Sequence, residues 1–244
     1  MINQYDDEKF FLEYSKMPRS KGGLTAAGEW SQMGALIPTL KGKRVLDLGC
    51  GYGWHCRYAA EQGAARVLGI DASQKMLAKA RSFNCNGIDY RLCGIEQYSY
   101  PENMWDCVIS NLALHYVADL LSVYSKIRRT LVPGGTFVMN IEHPVFTSGV
   151  GQDWIYGANG KKLYWAIDDY FFEGERMTNF LGCPVKKYHH TLSTVVGGLI
   201  SCGFEITALD EVRPPRQMMD IDGMADELRR PMMLLIRAVC KNNV

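Results

Sequence analysis

Residues 45–60 read VLDLGCGYGWHCRYAA. Apolar Val45, Leu46 and Leu48 lead into alternate glycines, Gly49, Gly51 and Gly53, and a helix-compatible stretch follows from Trp54. A buried strand feeding a glycine turn and then a helix is the entry unit of an open, mainly parallel α/β sheet. Glycine permits the tight turn and lets backbone amides approach a ligand with no Cβ in the way. In such sheets the ligand crevice lies at the carboxyl ends of the strands. Asp71 ends the next apolar run, ARVLGID, roughly 20 residues on, where an acid can grip ribose hydroxyls.

The details of the turn narrow the ligand. A dinucleotide-binding GxGxxG would need glycine at position 54, which is Trp54, so the spacing is GxGxG. No GxxxxGK[ST] phosphate loop occurs. Asp47, two residues before the first glycine, suits a cationic ligand better than a pyrophosphate.

Working outward, strand-like runs alternate with helical ones. After KRVLDLG and ARVLGID come IDYRLC, WDCVISN and TFVMNIE, and EITALDEV and MMLLIRAVC close the chain. Helices are expected at Asp6–Lys16, Thr25–Ile37, Trp54–Glu61, KMLAKAR behind a Ser73 cap, and Leu120–Leu131 before a Pro133-Gly134-Gly135 stop. Thr191–Cys202 reads as a further helix, opened by His189 and His190 and stopped by Gly203. Right-handed crossovers place helices on both sheet faces, and the absence of a clear crossover before the last strand makes the final pair antiparallel. From Pro144 to Lys187 the pattern breaks into a glycine-punctuated aromatic insertion containing Trp154, Tyr156, Tyr164, Trp165, Tyr170, Phe171 and Phe172. The expected organisation is one domain over 1–244. It comprises N-terminal helices (1–40), a ligand-binding core (41–143), the insertion as a lid (144–187), and a C-terminal helix with two strands (188–244).

Composition fits this reading. The 244 residues are 47% hydrophobic and 22% charged with a net charge of +1, which offers nothing to a polyanion such as nucleic acid. No apolar run approaches the roughly 20 residues that span a bilayer. The opening MINQYDDEKFF is acidic where a signal peptide is basic and then apolar. Eight cysteines without CxxC or Cys/His ligand spacing point to reduced thiols in the cytoplasm and to no metal site.

DLGCGYG, GIDAS, ISNLALHYV and TLVPGG together resemble the class I S-adenosylmethionine-dependent methyltransferases. The likeness is nearest to the small-molecule, ubiquinone-biosynthesis-like (type 11) group, and covers about Lys41–Glu142 by motif. It implies an α/β fold: a three-layer, Rossmann-like, doubly wound sheet of seven strands with the last antiparallel. It also implies S-adenosyl-L-methionine as cofactor. Asp47, Gly49, Cys50 and Gly51 would lie along its methionine and ribose, and Asp71 would bind the ribose hydroxyls. Ala72 and Met76 would flank the adenine, with Asn111 and Leu112 beside the methionine. Where family members often carry an adenine-binding aspartate, this chain reads CGIEQ, so the Ile95 backbone or Glu96 would replace it. Tyr14 and Arg19 from the N-terminal helices could reach the methionine end, Arg19 pairing with its carboxylate.

A sulfonium methyl is already electrophilic, so the protein mainly aligns the nucleophile. The candidate bases at the ligand-facing edge are His115, His143 and His189; His55 is expected to pack beside the first core helix. The aromatic insertion suits an apolar or aromatic small-molecule acceptor, with Trp165 and Tyr170 as contacts. A nicotinamide-dependent oxidoreductase and a non-catalytic cofactor-binding module are the competing readings. Nucleic-acid amino-group methylation is disfavoured, because NLAL stands where [DN]PP[YF] would be.

Overall fold

The computed structural model describes residues 3–149 and 151–241. The N-terminal part supplies α1 (Glu8–Lys16), α2 (Pro18–Gly22) and α3 (Trp30–Leu36). The core follows as β1 (Arg44–Leu48), α4 (Trp54–Glu61), β2 (Arg66–Asp71), α5 (Gln74–Arg81), β3 (Ile88–Leu92), β4 (Trp105–Asn111), α6 (Leu120–Thr130) and β5 (Leu131–Glu142). The insertion contains α7 (Pro144–Ser148), the hairpin β6 (Trp154–Tyr156) and β7 (Lys162–Trp165), and the hairpin β8 (Gly174–Phe180) and β9 (Cys183–His189). The chain continues through α8 (Gly198–Ser201), β10 (Phe204–Glu211) and β11 (Met233–Cys240).

Seven strands form one sheet in the order β10-β11-β5-β4-β1-β2-β3. β11 runs antiparallel to both neighbours, β5 and β10, and the β4–β1–β2–β3 pairings are parallel. The chain leaves β1 in one direction through β2 and β3, then returns to β1's other side with β4. That reversal opens a crevice at the carboxyl ends of β1 and β4.

Alternation along the strands divides the core into two layers. Leu46 and Leu48 of β1 point to the face packed by Leu120, Val123, Tyr124 and Ile127 of α6. Val45 points to the opposite face, with Met33 of α3 and Cys56 and Ala59 of α4. A third, smaller cluster joins Phe10 of α1 to Cys183 and Val185 of β9, with Tyr5, Tyr14, Tyr116 and Phe180 around it.

Three local expectations need correction. Pro133-Gly134-Gly135 does not separate helix from strand; α6 ends at Thr130, β5 begins at Leu131, and the three residues form an irregularity in its pairing with β4. The stretch Thr191–Cys202 is helical as expected, a π-helical turn at Ser193–Gly197 running directly into α8, but His189 ends β9 rather than opening that helix. The insertion is two hairpins with different packing partners, and the expected boundary at Lys187 falls inside β9.

Gly69, mid-strand in β2, is a packing requirement. A Cβ there would stand 2.8 Å from both Cys50 Sγ and Cys56 Sγ and 3.0 Å from Tyr90 Cδ1. Gly69→Ala is therefore expected to lower stability by about 1–3 kcal/mol through overpacking, read as a lower urea midpoint at unchanged m-value.

Candidate functional site

The β1 turn is wound in the left-handed region, with φ of +72° at Gly49, +52° at Gly51 and +72° at Gly53. Gly49 N–H and Cys50 N–H both donate to Ile70 O at 2.9 Å, which fastens the turn to β2. Asp71, ending β2, accepts from Gly51 N–H through Oδ2 and from Ser73 N–H through Oδ1, each at 2.8 Å. Burial lifts its pKa to about 6, against the lowering effect of these amides. A Cβ on Gly51 would meet no atom within 4 Å, so its backbone faces open cavity.

That cavity has a volume of about 520 Å³, within the usual range for small-ligand sites. Gly49, Cys50, Gly51, Asp71, Ala72, Met76, Ile95, Glu96, Asn111, Leu112, Tyr14, Arg19 and His115 all line it. Leu112 holds φ +52°, a costly conformation for a γ-branched residue, with its N–H donating to Asn140 O at 2.8 Å. Over Gly94, in the CGIEQ stretch, lies the side-chain amide of Gln97.

Several expected residues sit elsewhere. Asp47 is buried and does not line the cavity; its Oδ2 accepts from Cys56 Sγ at 3.3 Å, and its Oδ1 has no partner. Burial raises its pKa to about 7. His143 and His189 also lie away from the cavity, and both rings are occupied. His143 Nδ1 accepts from Val145 N–H at 3.0 Å as the cap of α7, while its Nε2 stands 3.2 Å from Glu211. His189 bonds Thr147 Oγ1 at 2.7 Å and Tyr170 O at 2.8 Å. His55, expected to pack beside α4, instead lines the cavity.

The aromatic insertion divides in two. Trp165 stacks on Phe146 at 5.2 Å, donates Nε1–H to Val145 O at 3.2 Å, and lies 4.4 Å from the Arg230 guanidinium. Tyr170 Oη accepts from Leu192 N–H at 3.0 Å. Neither residue lines the cavity. The second hairpin does: Phe180, Val185, Lys186 and Lys187 face it, and Phe180 meets Phe10 edge-on at 5.8 Å. Hairpin and α1 thus close over the cavity together.

Charged groups that the sequence reading did not single out complete the lining. Glu29, 1% exposed, accepts from Arg19 Nη2 at 3.0 Å and from Asn111 Nδ2 at 3.3 Å. Glu142 accepts from Lys187 Nζ at 2.5 Å, with His115 Nε2 3.9 Å away. Burial opposes ionisation of Glu142, but the Lys187 ammonium, through its charge and its hydrogen bond, outweighs it and holds the carboxyl below its usual value. Burial pushes His115 down to about 4, Glu142 partly opposing, so its imidazole is neutral at pH 7. Glu142 ends β5 as Asp71 ends β2, so the strand-end logic that selected Asp71 applied to it equally.

Residues 46–139 match the sequence pattern of a methyltransferase domain family. An S-adenosylmethionine dependent methyltransferase from Mesorhizobium loti is 41% identical, covers 89% of this chain and 100% of its own, and superposes with a TM-score of 0.82. The chain belongs to the S-adenosylmethionine-dependent methyltransferases. A Listeria monocytogenes protein solved under the same class description gives a TM-score of 0.86 at 43% identity, covering 90% of this methyltransferase and 100% of that chain. N-demethylindolmycin N-methyltransferase of Streptomyces griseus is 27% identical over 234 residues, 87% of this methyltransferase and 92% of the relative. The oxidoreductase and the non-catalytic module are thereby set aside. The residues present fit the cofactor: an open glycine backbone and a strand-end carboxylate face one cavity, and the carboxylate oxygens retain lone pairs for hydroxyl donors.

Asp71→Ala is expected to weaken binding of S-adenosylhomocysteine to the methyltransferase by about 1.5–3 kcal/mol, roughly tenfold to hundredfold, in a calorimetric titration. Asp47 binds its proton more tightly folded than unfolded, so its contribution to stability is lost as pH rises from about 4 through about 7. Denaturation of the ligand-free Asp47→Asn variant beside wild type should show a stability difference that moves in the variant's favour across that window, by about 1 kcal/mol or more, and is flat above it.

Proposed function

We propose that the enzyme moves the methyl group of S-adenosylmethionine to a small-molecule acceptor by in-line displacement. The observation that carries the reading is one continuous cavity. It runs from Asp71 and Gly51 to His115 and Glu142 under a roof of α1 and the β8–β9 hairpin. A partly roofed volume of about 520 Å³ suits small molecules.

In this reading Asp71 accepts hydrogen bonds from the ribose hydroxyls, and Ala72, Met76, Ile95 and Glu96 border the adenine. Gly49, Cys50, Gly51, Asn111 and Leu112 pass the methionine portion, with Tyr14, Arg19 and Glu29 at its far end. The cofactor supplies an electrophilic methyl group; the protein excludes water and orients the acceptor. Phe180, Val185 and Met232 give the acceptor end apolar walls, which supports an acceptor with an apolar or aromatic body. The Streptomyces relative, by its name, methylates a nitrogen of N-demethylindolmycin, itself a small molecule. Neutral His115, which lines the cavity beside Glu142, would take a proton from an acceptor N–H or O–H. Eight free cysteines support a reducing compartment such as the cytoplasm.

Incubating the enzyme with methyl-labelled cofactor and a cell extract should place label in low-mass metabolites; label confined to nucleic acid or protein would reject the reading. With the labelled product identified, His115→Ala should lower kcat by about tenfold or more while cofactor affinity stays within about threefold.

A further inference from the structure

The acceptor end of the cavity holds a buried ion pair that methyl transfer itself does not require. Lys187 Nζ donates to Glu142 Oε1 at 2.5 Å, and the two side chains are 5% and 9% exposed. A buried pair of this kind is retained at a cost unless its remaining hydrogen-bonding capacity is used.

The unused capacity lies with donors. Glu142 is engaged on both oxygens, by Lys187 on Oε1 and by Gln152 Nε2 on Oε2 at 3.4 Å. An ammonium carries three N–H donors, and among the described residues Glu142 is the sole hydrogen-bond partner of the Lys187 ammonium. The Phe180 ring, 5.2 Å from Nζ, favours the charge but accepts no conventional hydrogen bond. Tyr116, in the turn packed against β9, shares one hydrogen bond with Tyr5, Oη to Oη at 2.9 Å, so one phenolic hydrogen of the two remains to donate. Burial raises both phenols, which stay protonated donors. Lys187 and one tyrosine hydroxyl therefore hold unspent donors at this end, which the acceptors of a bound molecule would fill.

Resting on the small-molecule reading above, we infer that the acceptor is a carboxylic acid with an apolar body, and that Lys187 is the specificity-determining residue that holds its carboxylate. A cationic amine would meet the ammonium directly. A dianionic phosphate would set two charges against Glu142, whereas a monoanion adds one, balanced by the cationic cofactor in the same cavity. Val117, Val185 and Met232 supply the walls for the apolar body.

The test titrates the enzyme, saturated with the cationic cofactor analogue sinefungin, with 3-phenylpropionate, 3-phenylpropanol and 3-phenylpropylamine in a calorimeter. The carboxylate should bind at least tenfold tighter than the alcohol or the amine. In the Lys187→Met, Glu142→Gln double variant, which removes both charges at similar volume, that preference should shrink to within threefold. Sinefungin affinity should change by less than threefold. Tighter binding of the amine, equal or absent binding of all three, or an intact carboxylate preference in the double variant overturns the inference. If the variant fails to fold, the wild-type ranking still decides. A labelled-transfer assay on a metabolite pool pre-separated by charge distinguishes the two levels. Transfer confined to neutral or cationic fractions overturns the carboxylate assignment alone, transfer in the anionic fraction supports it, and transfer to macromolecules only overturns the small-molecule reading beneath it.

Discussion

The Asp71 carboxylate bridges the turn after β1 and the turn after β2 by accepting Gly51 N–H and Ser73 N–H, and the site depends on that bridge. The turn needs left-handed backbone at three glycines, which on its own leaves amides without partners and a loop free to wander. One carboxylate fixes an amide from each loop and still presents lone pairs to the cavity. Its consequences extend to the N-terminus, because Ser73 Oγ also donates to Asp6 Oδ1 at 2.7 Å and Lys75 N–H donates to the same oxygen at 3.0 Å. Residues far apart in sequence are thus held around one acid. Burial that raises the Asp71 pKa is only partly opposed by the same amides that give the acid its place.

Above this floor the insertion performs two jobs in two places. Phe146 of α7 and Trp154 and Trp165 of the first hairpin surround the Arg230 guanidinium, while Arg230 donates through both Nη atoms to Glu227. That cluster fastens the hairpin to the segment leading into β11, outside the cavity. The second hairpin meets α1 through Phe10, Phe180 and Val185, and brings Lys187 to Glu142. Aromatic richness therefore marks the structural half, and the functional half is the plainer stretch.

How far this could be read beforehand follows from where the chemistry is local. The seven strands, the glycine turn, Asp71 and Asn111 each announce themselves within a few residues, since alternation, turn chemistry and strand ends are short-range signals. Glu142 was visible at the end of TFVMNIE but had no motif around it. Lys187 had none at all, because its place arises only when β9 packs on the turn at Leu114–Tyr116 and its side chain reaches Glu142. His143 and His189 failed for the opposite reason. They stand near the right edge in sequence, yet a cap on α7 and a bond to Thr147 turn their rings to structural use. Asp47 faces the buried side of β1, where burial rather than ligand contact governs it. Arg19 lines the cavity as expected but spends a charge-assisted bond on Glu29, a partner no spacing rule would name.

The sheet order carries a consequence for the protein during its synthesis. β11 is made after every other strand, yet it sits inside the sheet, between β5 and β10. Until residues 233–240 leave the ribosome, β5 has an open edge of unpaired amides and carbonyls, and β10 has no neighbour in the sheet. The glycine turn and Asp71 can form long before that. A nascent chain could therefore hold its cofactor loops in place while its sheet remains sticky on one side. A premature stop before β11 would leave that exposure permanent, which makes truncated copies candidates for aggregation or proteolysis rather than for weakened catalysis.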